Sequence, residues 1–315
     1  MDEARQAIRR FLGLTEPAAT APALTVHDAL RCDGFTREAV SYVVGGERVA
    51  AFFFRPETPR RGAVVALHQH NSQWHLGKSE VAGLAGDPLQ AFGPALARAG
   101  VTVLAPDAIG FETRRGQGDG RDVSLAPRLE PAKGSTPGDW LQYYNHAMHR
   151  LARGEVLMRE LLRDVAAALD VLSTASGTSS IGVVGHSHGG IVALFAAALD
   201  ERIAFAVSSG ALCSYRYKFD HGVGLDMSLV IPGFAARFDV DALLECVAPR
   251  PLLVVSSEDD PLSADADTVV ERARPAYGRA NAEHRLEHLR TPGGHALDQR
   301  RFDAIVQYVS AHAGA

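Results

Sequence analysis

Cysteine is scarce in this chain. Cys32, Cys213 and Cys246 are the three in 315 residues, an odd number, widely spaced. That argues against a disulfide framework or a zinc-thiolate scaffold, and free thiols in a reducing cytoplasm are the simplest expectation. Long apolar runs are missing too. The longest, Ile191 to Leu199, suits a core helix and falls short of the roughly 18–20 residues that a membrane span needs. The first ten residues are charged throughout, so no secretory signal is expected there. Positive charge is not in excess: Lys plus Arg number 32 against 37 Asp plus Glu, a formal net charge of −5. Such a chain lacks the field that displaces counterions from a phosphate backbone, so no nucleic-acid partner is expected. No repeat or low-complexity block is visible. What is present is 46% hydrophobic residues, enough for a large core, and 13 histidines, which point to imidazole chemistry.

The hydrophobic pattern alternates between strand and helix. Residues 3–12 read as a short helix and 15–24 as a linker rich in Ala, Pro and Thr. Val40–Val44 and Val49–Phe54, on either side of Gly45-Gly46, read as a hairpin. Apolar strands are then expected at 63–67, 101–105, 181–184, 205–208, 252–256 and 285–289. Helices are expected between and after them, at 89–99, 157–172, 189–199, 264–274 and 300–311. This order predicts an α/β fold, a mostly parallel twisted sheet with helices on both faces. The chain divides on this reading into an N-terminal helix and linker over 1–35, packing on the core, and a single domain over 36–315. Two stretches break the alternation, at about 111–150 and 211–245. Both follow strand ends, where open α/β sheets hold their sites. They read as lid-like insertions, with Trp140, Tyr143, Tyr144 and Tyr215 as pocket-wall candidates. Arg114, Arg115 and Arg121 in the first insertion read as solvated lid surface rather than an anion site.

The most informative stretch is Ile181-Gly-Val-Val-Gly185-His186-Ser187-His188-Gly189-Gly190. It is an apolar strand, then Gly-x-Ser-x-Gly, then an apolar helix. A serine on so sharp a strand-to-helix turn has strained dihedrals, and side chains two positions either side would collide. Gly185 and Gly189 remove them, which makes Ser187 the candidate nucleophile. The N–H of His188 then becomes one oxyanion donor. Serine needs a base, itself oriented by an acid. The strand at 252–256 runs into Glu258-Asp259-Asp260-Pro261, so Asp260 is the preferred acid, with Asp259 next. Thr291-Pro-Gly-Gly-His295 places a loop histidine late in the chain, and His295 is the candidate base. His284, His288 and His312 are expected to be exposed or frayed. The second oxyanion N–H is expected from Gln69 or His70, after the strand at 63–67. His68, Asn71, Trp74 and His186 are further pocket candidates. The pairs His68-x-His70 and His186-x-His188 lack a third ligand at metallohydrolase spacing, so no metal is expected. Asp107 precedes the serine in the chain and reads as a loop-fixing acceptor rather than the acid.

With these residues in place, the chain resembles an α/β-hydrolase, and within that superfamily the dienelactone-hydrolase and acetyl-xylan-esterase-like bacterial serine esterases. The resemblance runs from about Gly45 to the C-terminus. It includes His68-Gln69-His70-Asn71, Gly77-Lys78-Ser79-Glu80-Val81, Ala105-Pro106-Asp107, Gly185-His186-Ser187-His188-Gly189-Gly190, Ile231-Pro232-Gly233 and Ala248-Pro249-Arg250-Pro251-Leu252-Leu253. It implies carboxylic-ester hydrolysis by Ser187, Asp260 and His295 with no metal or organic cofactor. The implied partner is a small-molecule ester or thioester; no membrane partner is implied, and a homo-oligomer is compatible with it. Gln69 departs from the glycine that many relatives carry there. Its side chain is expected either to narrow the oxyanion pocket or to offer its amide to substrate. A thioesterase, a peptidase, or an acyl-transferring or cyclising enzyme of secondary metabolism would use the same triad. A non-enzymatic binding protein of this fold is the reading from another class.

Overall fold

The computed structural model describes residues 2–14, 21–59, 62–118, 134 and 137–314. Helix α1 (Asp2–Phe11) precedes three strands, β1 (Thr25–Cys32), β2 (Phe35–Val44) and β3 (Glu47–Pro56). Then come β4 (Ala63–Leu67), α2 (Lys78–Val81), α3 (Phe92–Arg98), β5 (Thr102–Pro106), α4 (Pro137–Ala152) and α5 (Leu157–Ser176). The second half holds β6 (Ile181–His186), α6 (His188–Leu199), β7 (Ile203–Ser209), α7 (Tyr215–His221), α8 (Val240–Val247), β8 (Leu252–Ser257), α9 (Ala266–Arg279), β9 (Leu286–Thr291) and α10 (Gln299–Ala313). All the strands join one sheet in the order β1-β2-β3-β5-β4-β6-β7-β8-β9. The pairs from β1 to β5 are antiparallel. From β5 through β4 to β9 every pair is parallel.

The parallel strands are apolar throughout because both of their faces are covered. Strand side chains alternate between faces, and the core divides accordingly. Ala63, Val65 and Leu67 of β4 join Val183 and Val254 in one apolar layer, under α5, α6, α8 and α9. Val64 and Ala66 join Val184 and Val255 in the other, under α3 and α10. Helix α6 is apolar around its whole circumference and almost wholly buried, as its sequence demands. Each large side chain there, such as Phe195, contributes about 1.5–3 kcal/mol by leaving water. Helix α1 lies on the same layer: Ile8 is buried, and Arg5 donates to Ala198 O (3.0 Å) and Cys246 O (2.8 Å).

Several elements differ from the sequence reading. Residues 25–32 form the edge strand β1, which pairs with β2 although it is almost wholly exposed. The helix expected over 89–99 is a short 3-10 turn at Pro88–Gln90 followed by α3. The helix expected over 264–274 continues to Arg279 with Pro275 inside it. Part of the first insertion, 137–152, is the helix α4 rather than a loop. Residues 15–20 of the linker and 119–133 of that insertion, with Arg121, lie outside the described residues. Arg114 and Arg115 are not solvated: both are buried, Arg114 paired with Asp164 of α5 and Arg115 with Asp139 of α4. Arg114 pins the insertion to α5, and Arg115 ties its start to α4 within the insertion. His288 is also largely covered, with Nε2 2.8 Å from Ser256 Oγ, whereas His284 is exposed.

Candidate active site

The turn between β6 and α6 carries Ser187 at φ 56° and ψ −122°. An L residue held there costs about 1–3 kcal/mol, so the surroundings must hold it. The Ser187 N–H donates to Ser209 O (2.7 Å), and Ser187 O accepts from Ile191 N–H (3.0 Å). The flanking glycines are required by space. A Cβ at Gly185 would sit 2.3 Å from the Gly189 carbonyl carbon, and one at Gly189 would sit 2.3 Å from Leu67 O. Both obstacles are backbone, so neither can rotate away.

Ser187 Oγ lies 2.8 Å from His295 Nε2, and His295 Nδ1 lies 3.0 Å from Asp260 Oδ2. Asp260 is buried and also accepts from Leu262 N–H (2.9 Å) and Ser263 Oγ (2.7 Å). Burial alone would raise its pKa. The hydrogen bonds from His295 and Ser263 outweigh it and hold the carboxyl below the ordinary aspartate value. An ionised carboxylate can only accept, so His295 Nδ1 carries the proton and Nε2 is left free to accept from the serine hydroxyl. Asp259, the other candidate acid, is exposed and uses its N–H to reach Gly293 O (3.0 Å).

A cavity of about 330 Å³ opens over Ser187. Its walls include His70, Asn71, Ser72, His188, Ile191, Leu225, Asp226, Leu229 and Leu262, together with Ser187 and His295. His188, the first residue of α6, has an N–H with no intrahelical carbonyl to meet. That N–H, beside Ser187, is free to face a developing oxyanion. No helix among the described residues is long and apolar enough to cross a membrane.

No family model matches the chain. The Bacillus subtilis (strain 168) protein named "Putative hydrolase YtaP" is 27% identical over 266 residues, covering 80% of this chain and 79% of that protein. The solved structure of Methylesterase BT1017 superposes with a TM-score of 0.69 at 18% identity, over 98% of this chain. The chain spans 62% of that methylesterase's length. A structure described as a "putative acetyl xylan esterase" from Bacteroides fragilis NCTC 9343 gives a TM-score of 0.68 at 16% identity, over 92% of this chain and 74% of that one. The chain has the α/β-hydrolase fold.

Within this α/β-hydrolase fold the remaining candidates divide into wall and scaffold. His70, Asn71 and His188 line the cavity. His68 does not. It is buried, its Nε2 accepts from Ala108 N–H (3.0 Å), and its Nδ1 donates to Gln69 O (2.8 Å). Gln69 turns its side-chain amide away, to Glu80 Oε1 (3.0 Å), so it neither narrows the cavity nor offers that amide to it. His186 is buried behind His295, ring centroids 5.0 Å apart, with Nδ1 2.9 Å from Ser209 Oγ. Trp74 and Tyr143 pack edge-on against His70, at 4.9 and 5.7 Å, behind the wall. Tyr215 donates its hydroxyl to Leu229 O (2.9 Å) and braces the second insertion from below. Trp140 and Tyr144 stack on each other on the exposed side of α4, so neither is a pocket wall. Asp107 accepts from Lys78 N–H and Nζ (both 2.8 Å) and from Thr113 Oγ1 (2.6 Å), and so fixes the loops beside the site.

Burial holds His68, His70 and His186 neutral. It lowers His68 and His70 to about 4, and it lowers His186, with help from the neighbouring His295, to about 3. Among the described residues no group of three or more His, Cys, Asp or Glu is arranged to hold a metal ion. Two charged wall residues are not among the candidates read from the sequence. Asp226 accepts from His188 Nδ1 (3.3 Å) and from Ser228 N–H (2.8 Å). Lys218 reaches the cavity from α7. Asp226 caps the short turn that follows it through Ser228 N–H, but nothing local in the sequence announces that it faces the Ser187 cavity.

Proposed function

We propose that the chain is a serine hydrolase that cleaves a small carboxylic ester or thioester through an acyl-enzyme on Ser187. The observation that carries this reading is the unbroken hydrogen-bonded line from buried Asp260 through His295 to Ser187, at the mouth of a cavity. His295 Nε2 takes the Ser187 proton as Oγ attacks the carbonyl carbon, and Asp260 stabilises the imidazolium that forms. The His188 N–H and the N–H of Gln69 or His70 receive the oxyanion. His295 returns the proton to the leaving alcohol or thiol. It then activates a water that frees the acid. The cycle proposed uses no metal and no organic cofactor. The names of the related protein and of the fold neighbours, a hydrolase and esterases, favour this chemistry over non-enzymatic binding. Three unpaired thiols, two of them buried, fit a cytoplasmic setting.

The test is hydrolysis of a panel of esters of graded acyl length by wild-type protein, Ser187→Ala and His295→Ala. Each substitution is expected to lower kcat by at least about 10³-fold, because the members act as a unit. Ester turnover by Ser187→Ala at the wild-type rate would overturn the reading.

A further inference from the structure

Lys218 is a largely buried cation that makes no ion pair among the described residues. It is 4% exposed. Among the described residues, no carboxylate lies within ion-pair distance of its ammonium and no acceptor within hydrogen-bond distance. Lysines this buried are rare unless paired, because the ammonium loses its hydration. Lys218 lines the cavity over Ser187.

The helix that carries Lys218 is tightly fixed. Ser214 Oγ caps it by accepting from Tyr217 N–H (3.0 Å). Asp239 accepts from Tyr215 N–H (2.8 Å). The Lys218 backbone is held at both ends, its N–H donating to Ser214 O (3.1 Å) and its O accepting from Val223 N–H (2.9 Å). So Lys218 is held at the cavity by a braced element.

The other walls make no ion pair with it. Asp226 is the one carboxylate among them; despite its burial it is held below the ordinary aspartate value and stays ionised, and its Oδ1 is engaged by His188 Nδ1, Ser228 N–H and Ser228 Oγ rather than by Lys218. Cys213 lies near Lys218, but burial pushes its thiol up to about 12, so it stays neutral. Ile191, Leu225, Leu229 and Leu262 add apolar walls beside the polar His70, Asn71 and Ser72. Low polarity strengthens the pull of an unpaired ammonium on an anion. A cavity of about 330 Å³ is at the small end for ligand sites.

We propose that the ester taken at Ser187 is small and carries a carboxylate, on its acyl or its alcohol part, and that the Lys218 ammonium receives that carboxylate. This rests on the ester-hydrolase reading above. Lys218 is then a specificity-determining residue, which pairs with the non-reacting end of the substrate while Ser187 attacks the ester carbon.

The test compares isosteric pairs on the full chain. The acyl-side pair is monoethyl succinate against ethyl succinamate, and the alcohol-side pair is acetoxyacetate against acetoxyacetamide. A charge-assisted contact in this cavity predicts that kcat/KM favours the charged member of at least one pair by about 10- to 100-fold. In Lys218→Met that ratio should fall to near one, and Lys218→Arg should retain most of it. A second readout is calorimetric binding of succinate against succinamide to Ser187→Ala, with and without Lys218→Met. Succinate should bind, and the second substitution should abolish that binding. If wild type cleaves the neutral members through Ser187 but shows no charge preference, the Lys218 assignment fails and the ester-hydrolase reading stands. If no ester is cleaved but succinate binds through Lys218, the reverse holds. If Lys218→Met does not fold, the wild-type ratios and Lys218→Arg still decide.

Discussion

Replacing Gly189 by alanine should damage the site without removing a polar group. The new Cβ would lie 2.3 Å from Leu67 O, 2.7 Å from His68 O and 2.8 Å from the Leu67 carbonyl carbon. All three atoms are backbone, at the end of β4 and the start of the loop that follows. Ordinary contact needs about 1 Å more, so the first turn of α6 and the end of β4 must separate by about that much. Overpacking of this kind costs about 1–3 kcal/mol of stability. The functional cost is larger, because the two elements driven apart carry Ser187 and His188 on one side and Gln69 and His70 on the other. A misplacement of about 1 Å between reacting groups costs on the order of 100-fold in rate. The assay is kcat/KM on a cleaved ester together with the thermal melting curve. Gly116→Ala is the control, since a Cβ there meets nothing within 4 Å, and it should change stability by no more than about 0.5 kcal/mol. A Gly189→Ala protein that keeps kcat/KM within about threefold of wild type would refute the close approach of α6 to β4.

Asp260→Asn should lower kcat by about 10⁴-fold, because an amide in place of the carboxylate favours the wrong imidazole tautomer. Exposed Asp259→Asn should leave kcat within about twofold, and steady-state kinetics of the two separates them. Arg114→Leu should destabilise by about 3–5 kcal/mol in denaturant titrations, since it strands the Asp164 carboxylate inside. The folded-state pKa of His186, about 3, lies below the ordinary histidine value, so unfolding takes up a proton. Its share of stability is complete above about pH 6.5 and is lost as pH falls toward 3. His186→Gln should therefore reduce the pH slope of the unfolding free energy by roughly one proton, about 1.4 kcal/mol per pH unit, in denaturant titrations between pH 6 and 4. An unchanged slope would show that His186 is not a buried neutral imidazole.

The parts of the site that could be read in advance are those whose physics is local. Gly185 and Gly189 are required by clashes within one turn and across to β4, so the turn announces itself in the sequence. His295 follows from two glycines and its place late in the chain. Asp260 and Asp259 are neighbours that differ only in which way a turn points, and burial separates them where composition could not. Strand β1 escaped because an exposed edge strand has no apolar alternation to display. Arg114 was read as solvated because arginine usually is, and its partner Asp164 lies 50 positions away on another element. Lys218 and Asp226 come from an insertion whose approach to Ser187 is decided by tertiary packing. The same packing carries Trp140 and Tyr144 out to solvent while Tyr143, between them, faces His70.

The central claim is that Ser187 is an activated nucleophile. It is tested most directly by treating the protein with a fluorophosphonate and mapping the adduct by mass spectrometry. The account predicts one dominant adduct, on the peptide containing Ser187, absent in Ser187→Ala and slowed at least about 10²-fold in His295→Ala, which loses its general base. An unlabelled Ser187, or labelling that persists unchanged in His295→Ala, would contradict it.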